Sequence, residues 1–375
     1  MKKGWESKKV SELAKTYSGG TPSKSKKEYY ENGTIPWLQS GEVNQAEIFE
    51  SRNYISELGL KNSSAKLFPK DTVLIAMYGA TAAQCGLLRF PSTSNQAVCG
   101  ILPNETVSSE YTYYFFLHHK AELLTQAVGN AQPNISQAKI KNTTIPIPPL
   151  SEQEEIVEVL DKAFAAIDQA KANIEQNIAN AKELFQSKLN QIFSQKGEGW
   201  VETTLTEISK VQTGKHDANH ASDTGKYRFY TCAYDHLRCD TKRFSGPSII
   251  LPGNGANVGE VFYYDGEFDA YQRTYVINSI EISPDYLFFH LKALWRERNL
   301  NKQYGSATNF LKIGNFKDYA VSYPTNANEQ MHIVRICADL SDQLESIASH
   351  YQSKLDSLDE LKKSILQKAF AGELT

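Results

Sequence analysis

No stretch of this sequence reaches the roughly eighteen consecutive apolar residues of a membrane-spanning helix, so no span is expected. The opening Met1-Lys2-Lys3-Gly4-Trp5-Glu6 is basic but is followed by no apolar core, which argues against an ordinary signal peptide. Cysteine is sparse and odd in number, with five residues at 85, 99, 232, 239 and 337. No CxxC pair occurs, so neither a disulfide framework nor a zinc module is supported. Cys232 and Cys239 form only a loose pair, and the thiols read as buried structural residues of a protein in a reducing cytoplasm. No metal ligands are expected. Equally absent are the GxxxxGK[ST] phosphate loop and the HExxH, GxSxG and deaminase signatures. Gly253-Asn254-Gly255-Ala256-Asn257-Val258-Gly259 is glycine-rich but lacks the Lys and Ser/Thr of phosphate chemistry, so it reads as a tight loop. His118-His119 reads as structural or surface, and no Asp/Lys nuclease cluster stands out. The chain is expected to carry no catalytic centre and no cofactor of its own.

Charge is nearly balanced overall, at -3, but unevenly distributed. Residues 1–150 hold 16 Lys and Arg against 12 Asp and Glu, and residues 199–325 hold 14 of each. The segments between and after them, 151–198 and 326–375, carry -4 and -3. With 375 residues, 41% of them apolar, the chain can build two or three cored domains.

These four blocks follow an internal repeat. Gly4-Trp5…Val10…Leu13…Lys15…Gly19 returns as Gly199-Trp200…Leu205…Ile208…Lys210…Gly214. Gly79-Ala80 matches Gly255-Ala256, and Gln96 matches Gln272. Tyr113 matches Tyr286, Gly129-Asn130-Ala131 matches Gly305-Ser306-Ala307, and Pro148 matches Pro324. Glu152-Gln153…Ile156-Val157 matches Glu329-Gln330…Ile333-Val334, and Ser187…Leu189…Phe193 matches Ser364…Leu366…Phe370. A period this long describes a duplicated two-part unit rather than a solenoid.

The second part of each unit is a long helix. Ser151-Glu152-Gln153-Glu154 and Asn326-Ala327-Asn328-Glu329 read as capping boxes. Apolar residues then recur at steps of three and four, including Ile156, Leu160, Ile167 and Ile174 in the first helix and Ile333, Leu340, Leu344 and Ile347 in the second. Helices so long, each with one apolar stripe, need a long partner, and each supplies it for the other. The expected architecture is α/β: two similar mixed domains at 1–150 and 199–325, separated by two long antiparallel coiled-coil helices at 151–198 and 326–375, with pseudo-twofold symmetry.

The first domain opens with Lys2, Lys3, Lys8, Lys9, Lys15, Lys24, Lys26 and Lys27 around Ser18-Gly19-Gly20-Thr21-Pro22-Ser23. A flexible turn with free backbone donors beside lysines suits phosphate contacts, and otherwise reads as a solvated surface turn. Base edges are read by amides, guanidinium groups and similar donors. The candidates are Gln39, Asn95, Gln96, Asn130 and Gln132 in the first domain. In the second they are Lys215, His216, Arg228, Arg243, Asn254, Asn257, Gln272, Arg273 and Asn309. Gln96 and Gln272 occupy matching places, which suits a scaffold role equally well.

Several of these blocks are family-like. Trp5…Val10…Leu13…Ser18-Gly19-Gly20-Thr21-Pro22-Ser23, Ile35-Pro36-Trp37-Leu38…Gly41-Glu42-Val43, Asn95-Gln96-Ala97-Val98-Cys99-Gly100-Ile101 and Ile145-Pro146-Ile147-Pro148-Pro149-Leu150-Ser151-Glu152-Gln153-Glu154-Glu155-Ile156 resemble the specificity subunits of type I restriction-modification enzymes over essentially the whole chain. The second copies, Thr213-Gly214-Lys215 and Tyr323-Pro324…Glu329-Gln330…Ile333, depart further from that pattern. The resemblance implies a non-catalytic subunit whose two target-recognition domains read a split, asymmetric sequence in double-stranded DNA. It implies helices that set the unread spacing and dock two modification subunits, which bind S-adenosylmethionine and methylate adenine. A motor-nuclease restriction subunit, using ATP and Mg2+, is the further partner the resemblance allows. Two other readings stand beside it: a coiled-coil adaptor with two protein-binding heads, and a self-sufficient enzyme with an unrecognised site.

Overall fold

The computed structural model describes residues 2–127, 134–299 and 309–374. Its contacts divide into two compact units: Met1–Asn173 with Lys354–Thr375, and Ile174–Ser353. Each long helix therefore contributes one stretch to each unit.

In the first unit, Val73-Leu74-Ile75-Ala76 is an uninterrupted apolar run and becomes a fully buried strand, Val73–Ala76. Strand periodicity sends alternate side chains to opposite faces. Val73 and Ile75 join Tyr111, Phe115 and Phe116 from the helix Ser109–Thr125. Leu74 and Ala76 join Leu38, Phe68, Leu88 and Val98 on the other side. The strand sits in the middle of a five-stranded sheet, ordered Thr16–Ser18, Val98–Ile101, Val73–Ala76, Cys85–Leu88, Glu47–Ile48. A three-stranded sheet packs nearby, with Ile35–Leu38 antiparallel to Tyr54–Ile55 and parallel to Thr93–Ser94. Arg89 ties this unit together: its guanidinium reaches Glu47, Asp71 and Glu110 at 2.6, 2.7 and 2.9 Å.

The second unit repeats the plan. Lys210–Thr213, Thr274–Asn278, Pro247–Pro252 and Phe262–Asp265 form a four-stranded antiparallel sheet in that order. Ile249, Leu251 and Ile277 face Leu287, Leu291 and Trp295 of the helix Pro284–Asn299. Ile250 and Val276 face Tyr230, Phe268 and Ala270 on the opposite side. Those residues belong to a three-stranded sheet in which Tyr227–Tyr230 lies antiparallel to Leu237–Cys239 and parallel to Phe268–Ala270. One antiparallel and one parallel neighbour around the central strand is the arrangement found in the first unit.

The strongest sign of duplication is where each domain meets its helix. Glu6–Lys9 pairs antiparallel with Thr144–Ile147, and Trp200–Thr204 pairs antiparallel with Ala320–Pro324. Trp5 Nε1 donates to Glu152 at 3.1 Å, and Trp200 Nε1 donates to Glu329 at 2.9 Å. Gln153 accepts from the Ser108 amide and donates to the Pro148 carbonyl, both at 2.9 Å. Gln330 accepts from the Ser283 amide at 2.9 Å and donates to the Pro324 carbonyl at 2.8 Å. Both glutamines are buried, so these bonds satisfy backbone groups that water does not reach. The tyrosine alignment needs one correction. Tyr111, not Tyr113, is the counterpart of Tyr286: their hydroxyls donate to Pro146 and Ser322 carbonyls, each at 2.9 Å.

The long helices are Leu150–Ser194 and Ala327–Ala371. Ser151 lies inside the first rather than capping it, because the helix already starts at Leu150, with Glu152 and Gln153 amides bonded to the Pro149 carbonyl. Asn326 does cap the second, its Oδ1 accepting from the Asn328 amide at 2.9 Å. The helices run antiparallel. In the first unit Lys362 bonds Asp168 at 2.5 Å while Lys171 pairs with Asp359. Such exposed pairs contribute at most about 1 kcal/mol each. The seam owes more to apolar burial: Ile156, Leu160 and Phe164 with Leu366, Ala369 and Phe370 in the first unit, and Phe185, Leu189 and Phe193 with Ile333, Cys337, Leu340 and Leu344 in the second. Ile167 and Ile174 are buried too, but Ile347 is 41% exposed.

Candidate nucleic-acid interface

In an antiparallel sheet the end of one strand lies beside the start of its neighbour. This brings distant sequence positions to one edge of each main sheet. In the first unit Thr16–Ser18 ends where Val98–Ile101 begins, and Val73–Ala76 ends on its other side. Ser18, Gly19, Gly20, Thr21, Asn95 and Gln96 meet there. In the second unit the ends of Lys210–Thr213 and Pro247–Pro252 flank the start of Thr274–Asn278. Lys215, His216, Asn254, Gln272, Arg273 and Asn309 meet there.

The Gly19-Gly20 turn differs from expectation. Its backbone donors are not free: the Gly19 amide bonds Val98 O at 2.9 Å and the Gly20 amide bonds Ser94 O at 2.8 Å. The glycines are needed for close approach. A Cβ on Gly19 would stand 2.2 Å from Asn95 O, and one on Gly214, its counterpart, 1.7 Å from Ala270 O. The side chains beyond the turn are what face out. Thr21 donates its hydroxyl to Gln96 Oε1. Gln272 donates to Asp217 at 3.1 Å. The matched glutamines thus perform matched work, each steadying the loop that leaves the first strand of its sheet.

The remaining candidates divide into exposed and engaged groups. Lys24, Gln39, Gln96, Lys215, Arg243, Gln272, Arg273 and Asn309 are exposed. Gln39 follows the strand Ile35–Leu38, and Leu38 O accepts from the Asn95 amide, which places Gln39 by the same edge. Asn95 is half-buried, its Oδ1 accepting from Ala97 N at 3.1 Å. Asn257 is turned to the Cys232 carbonyl at 2.9 Å, and Asn254 is half-buried, its backbone forming an antiparallel bridge with Phe310. Lys2 pairs with Glu152 and Lys8 with Glu6, each at 2.7 Å, and Lys26 with Glu28 at 3.8 Å, so the N-terminal lysines do not form one free cluster; the Lys9 backbone amide bonds Glu12. Asn130 and Gln132 lie outside the described residues.

Arg228 and Arg243 belong to the second unit's smaller sheet. Arg228 lies 4.3 Å from the Tyr264 ring centre and bonds the Tyr230 hydroxyl at 3.2 Å, an interaction that raises its basicity. His236 stacks obliquely on Tyr230, and partial burial followed by the charges of Arg228 and Arg238 lowers its pKa. Tyr234 beside them is 71% exposed. Sequence reading passed over this aromatic group because its members come from three separate segments. Tyr17 and Tyr78, each 39% exposed at the first unit's edge, were missed for the same reason. The cysteines are free; Cys85, Cys99, Cys239 and Cys337 are buried, and burial pushes the Cys85 thiol up to about 12.

The duplicated sheet edge, held by duplicated glutamines, matches what sequence comparison finds. The family described as the type I restriction modification DNA specificity domain matches residues 2–180 and again 197–356. The chain belongs to this family. It is 25% identical over 417 aligned positions to the MjaIX type I restriction enzyme specificity subunit of Methanocaldococcus jannaschii, covering 99% of this chain and 94% of that one. The EcoR124I/EcoR124II specificity subunit of Escherichia coli is 33% identical over 162 residues, an alignment that spans 42% of this chain and only 40% of the relative. A chain solved in work on complex assembly and conformational transition of the type I R-M system covers all of this one, with 99% of its own length matched, a TM-score of 0.78 and 17% identity. At that identity the likeness is one of fold. Among the described residues no helix is long and apolar enough to cross a membrane.

Proposed function

We propose that this specificity-family chain reads a bipartite, asymmetric sequence in double-stranded DNA, each unit contributing one reading edge, and that it directs partner subunits without catalysing a reaction itself. The observation that carries this reading is a repeated scaffold bearing unlike side chains. Around the matched Gln96 and Gln272, Thr21 stands at one edge and Lys215 and Arg273 at the equivalent edge. Two copies of one frame with a hydroxyl on one and cations on the other suit two different half-sites. Lys24 and Lys215, both exposed, suit phosphate contacts, which position without specifying.

The helices fit a spacing role. A helix of 45 residues rises about 68 Å, against about 34 Å for a turn of duplex. Their second-unit stretch also leaves Leu184 60% and Ile347 41% exposed, apolar surface suited to a docked modification subunit. Two such subunits would bring S-adenosylmethionine and adenine methylation, and a restriction subunit would bring ATP and Mg2+. The cytoplasm, where chromosomal DNA and these cofactors meet in a bacterium or archaeon, is the fitting location.

The test is a genome-wide adenine-methylation map of cells expressing the chain with its modification subunit, against cells with the modification subunit alone. A new two-part motif is expected. No new motif despite a stable complex would refute the reading and favour an adaptor. Methyl transfer by the purified chain alone would refute its non-catalytic part.

A further inference from the structure

The second unit holds a cluster that joins His216, one of the candidates at the reading edge, to His220 and Asp269, which are not candidates. His216 and His220 lie on the segment leaving the strand Lys210–Thr213, four residues apart. Asp269 is the middle residue of the strand Phe268–Ala270. One side-chain ligand atom from each lies within 4.8 Å of the other two. The imidazole rings stack face to face, 3.7 Å between centres and 7° between planes. The Asp269 carboxylate is 1% exposed.

Its surroundings satisfy its lone pairs better than its charge. Oδ1 accepts from the Ala270 amide at 2.8 Å, and Oδ2 accepts from the Thr241 hydroxyl at 2.7 Å. The same hydroxyl stands 2.7 Å from His220 Nε2, and His216 Nε2 is 3.6 Å from Oδ2. Among the described residues no lysine or arginine pairs with Asp269, and its one ion-pair contact is with His216. A buried carboxylate is costly unless its charge is matched. A divalent cation would match it and take the two ring nitrogens as further ligands once the imidazoles turn out of their stack, because parallel planes cannot both aim an in-plane lone pair at one ion.

We propose that His216, His220 and Asp269 form a binding site for a divalent first-row metal of the zinc class, which clamps the loop carrying Lys215 onto the strand Phe268–Ala270. Two imidazoles and one carboxylate suit zinc and its neighbours, whereas calcium and magnesium favour all-oxygen sites. Three protein ligands leave a position for water. Thr241 is the orienting residue: its hydroxyl proton goes to Asp269, so His220 Nε2–H donates to Thr241 Oγ1, and metal binding through that nitrogen takes the tautomer with the proton on Nδ1 while the bond to Asp269 remains. The nearby thiols take no part in the geometry. Cys239 donates to the Thr241 carbonyl at 3.2 Å, and Cys232 donates to the Arg273 carbonyl at 3.4 Å. This proposal departs from the expectation of a chain without metal ligands. The sequence signal was present as His-x3-His, but its third member lies some fifty positions away.

The inference is tested without DNA, so its outcome does not depend on the proposed reading. The full chain, purified without a histidine tag and stripped of metal, is titrated with Zn2+ by calorimetry and with Co2+ by visible absorption. The expected result is one equivalent bound, with affinity reduced at least roughly tenfold in His220→Ala and Asp269→Asn. Circular dichroism checks that the variants remain folded. Should Asp269→Asn unfold, His216→Ala serves instead, because the His216 side chain is already 39% exposed. Absence of Zn2+ binding by the wild type, or unchanged binding in folded variants, would overturn the site and leave an Asp269–Thr241–His220 hydrogen-bonded chain.

Discussion

The two units share a junction more faithfully than they share a surface. Trp5, Gln153 and Tyr111 have Trp200, Gln330 and Tyr286 as working counterparts, and each pair bonds equivalent groups. Away from the junction the units diverge: one main sheet has five strands and the other four. The junction bonds satisfy buried backbone atoms that every copy of the fold must satisfy, so substitution there is costly. Loop side chains at the sheet edge face solvent, and the backbone places few demands on them.

Shared frame and private surface make different predictions. Gly19→Val and Gly214→Val should be the most damaging changes, costing about 3 kcal/mol or more each because the added carbons meet backbone oxygen. Gly214 should be the worse, with its obstacle at 1.7 Å against 2.2 Å. Denaturant unfolding measures this, and a loss below about 0.5 kcal/mol at either site would contradict the close-approach account.

A core difference gives the next effect. One turn after the shared tyrosine, the first unit buries Phe115 where the second buries His290. Burial, followed by the charge of Arg298, lowers His290 to about 3. The unfolded histidine takes up a proton near 6.5, while the folded one resists until about 3. Stability is therefore unaffected by this group above the unfolded value and declines as pH falls through that window. The decline amounts to roughly 3 kcal/mol by pH 4. His290→Phe should remove this share of the acid sensitivity in a pH series of unfolding curves. An unchanged pH slope would mean that His290 is protonated in place.

Gln153→Leu and Gln330→Leu should each cost about 2 kcal/mol through unsatisfied backbone groups. Gln153 should cost more, since it also donates to the Thr106 carbonyl at 3.1 Å, an extra bond at the first junction. Equal losses, measured by the same unfolding curves, would show that this third bond contributes nothing.

Much of this frame was legible before any coordinates. Helix periodicity marked the long seam because a stripe of apolar side chains repeats locally. The glycine matches at 19 and 214 marked equivalent turns, but the close approach that demands glycine there appears only in the structure. Other features were hidden by chain distance. Free donors were expected at Gly19 and Gly20, but their partners at Val98 and Ser94 come from two strands distant in sequence. Arg89 looked unremarkable until the fold gathered three carboxylates around it. Tyr113 was aligned with Tyr286 because both lie in aromatic runs, and only the hydroxyl bonds identify Tyr111. Ile347 fits the heptad pattern yet faces outward, since periodicity gives a stripe's direction but not the breadth of its partner.

The most direct test of separate reading edges is the methylation motif written by the Gln272→Ala, Arg273→Ala double variant with its modification subunit. These residues stand only at the second unit's edge. The account predicts that one half of the motif relaxes, while the other half and the spacing between them stay the same. Changes in both halves, or a shifted spacing with both halves intact, would contradict it.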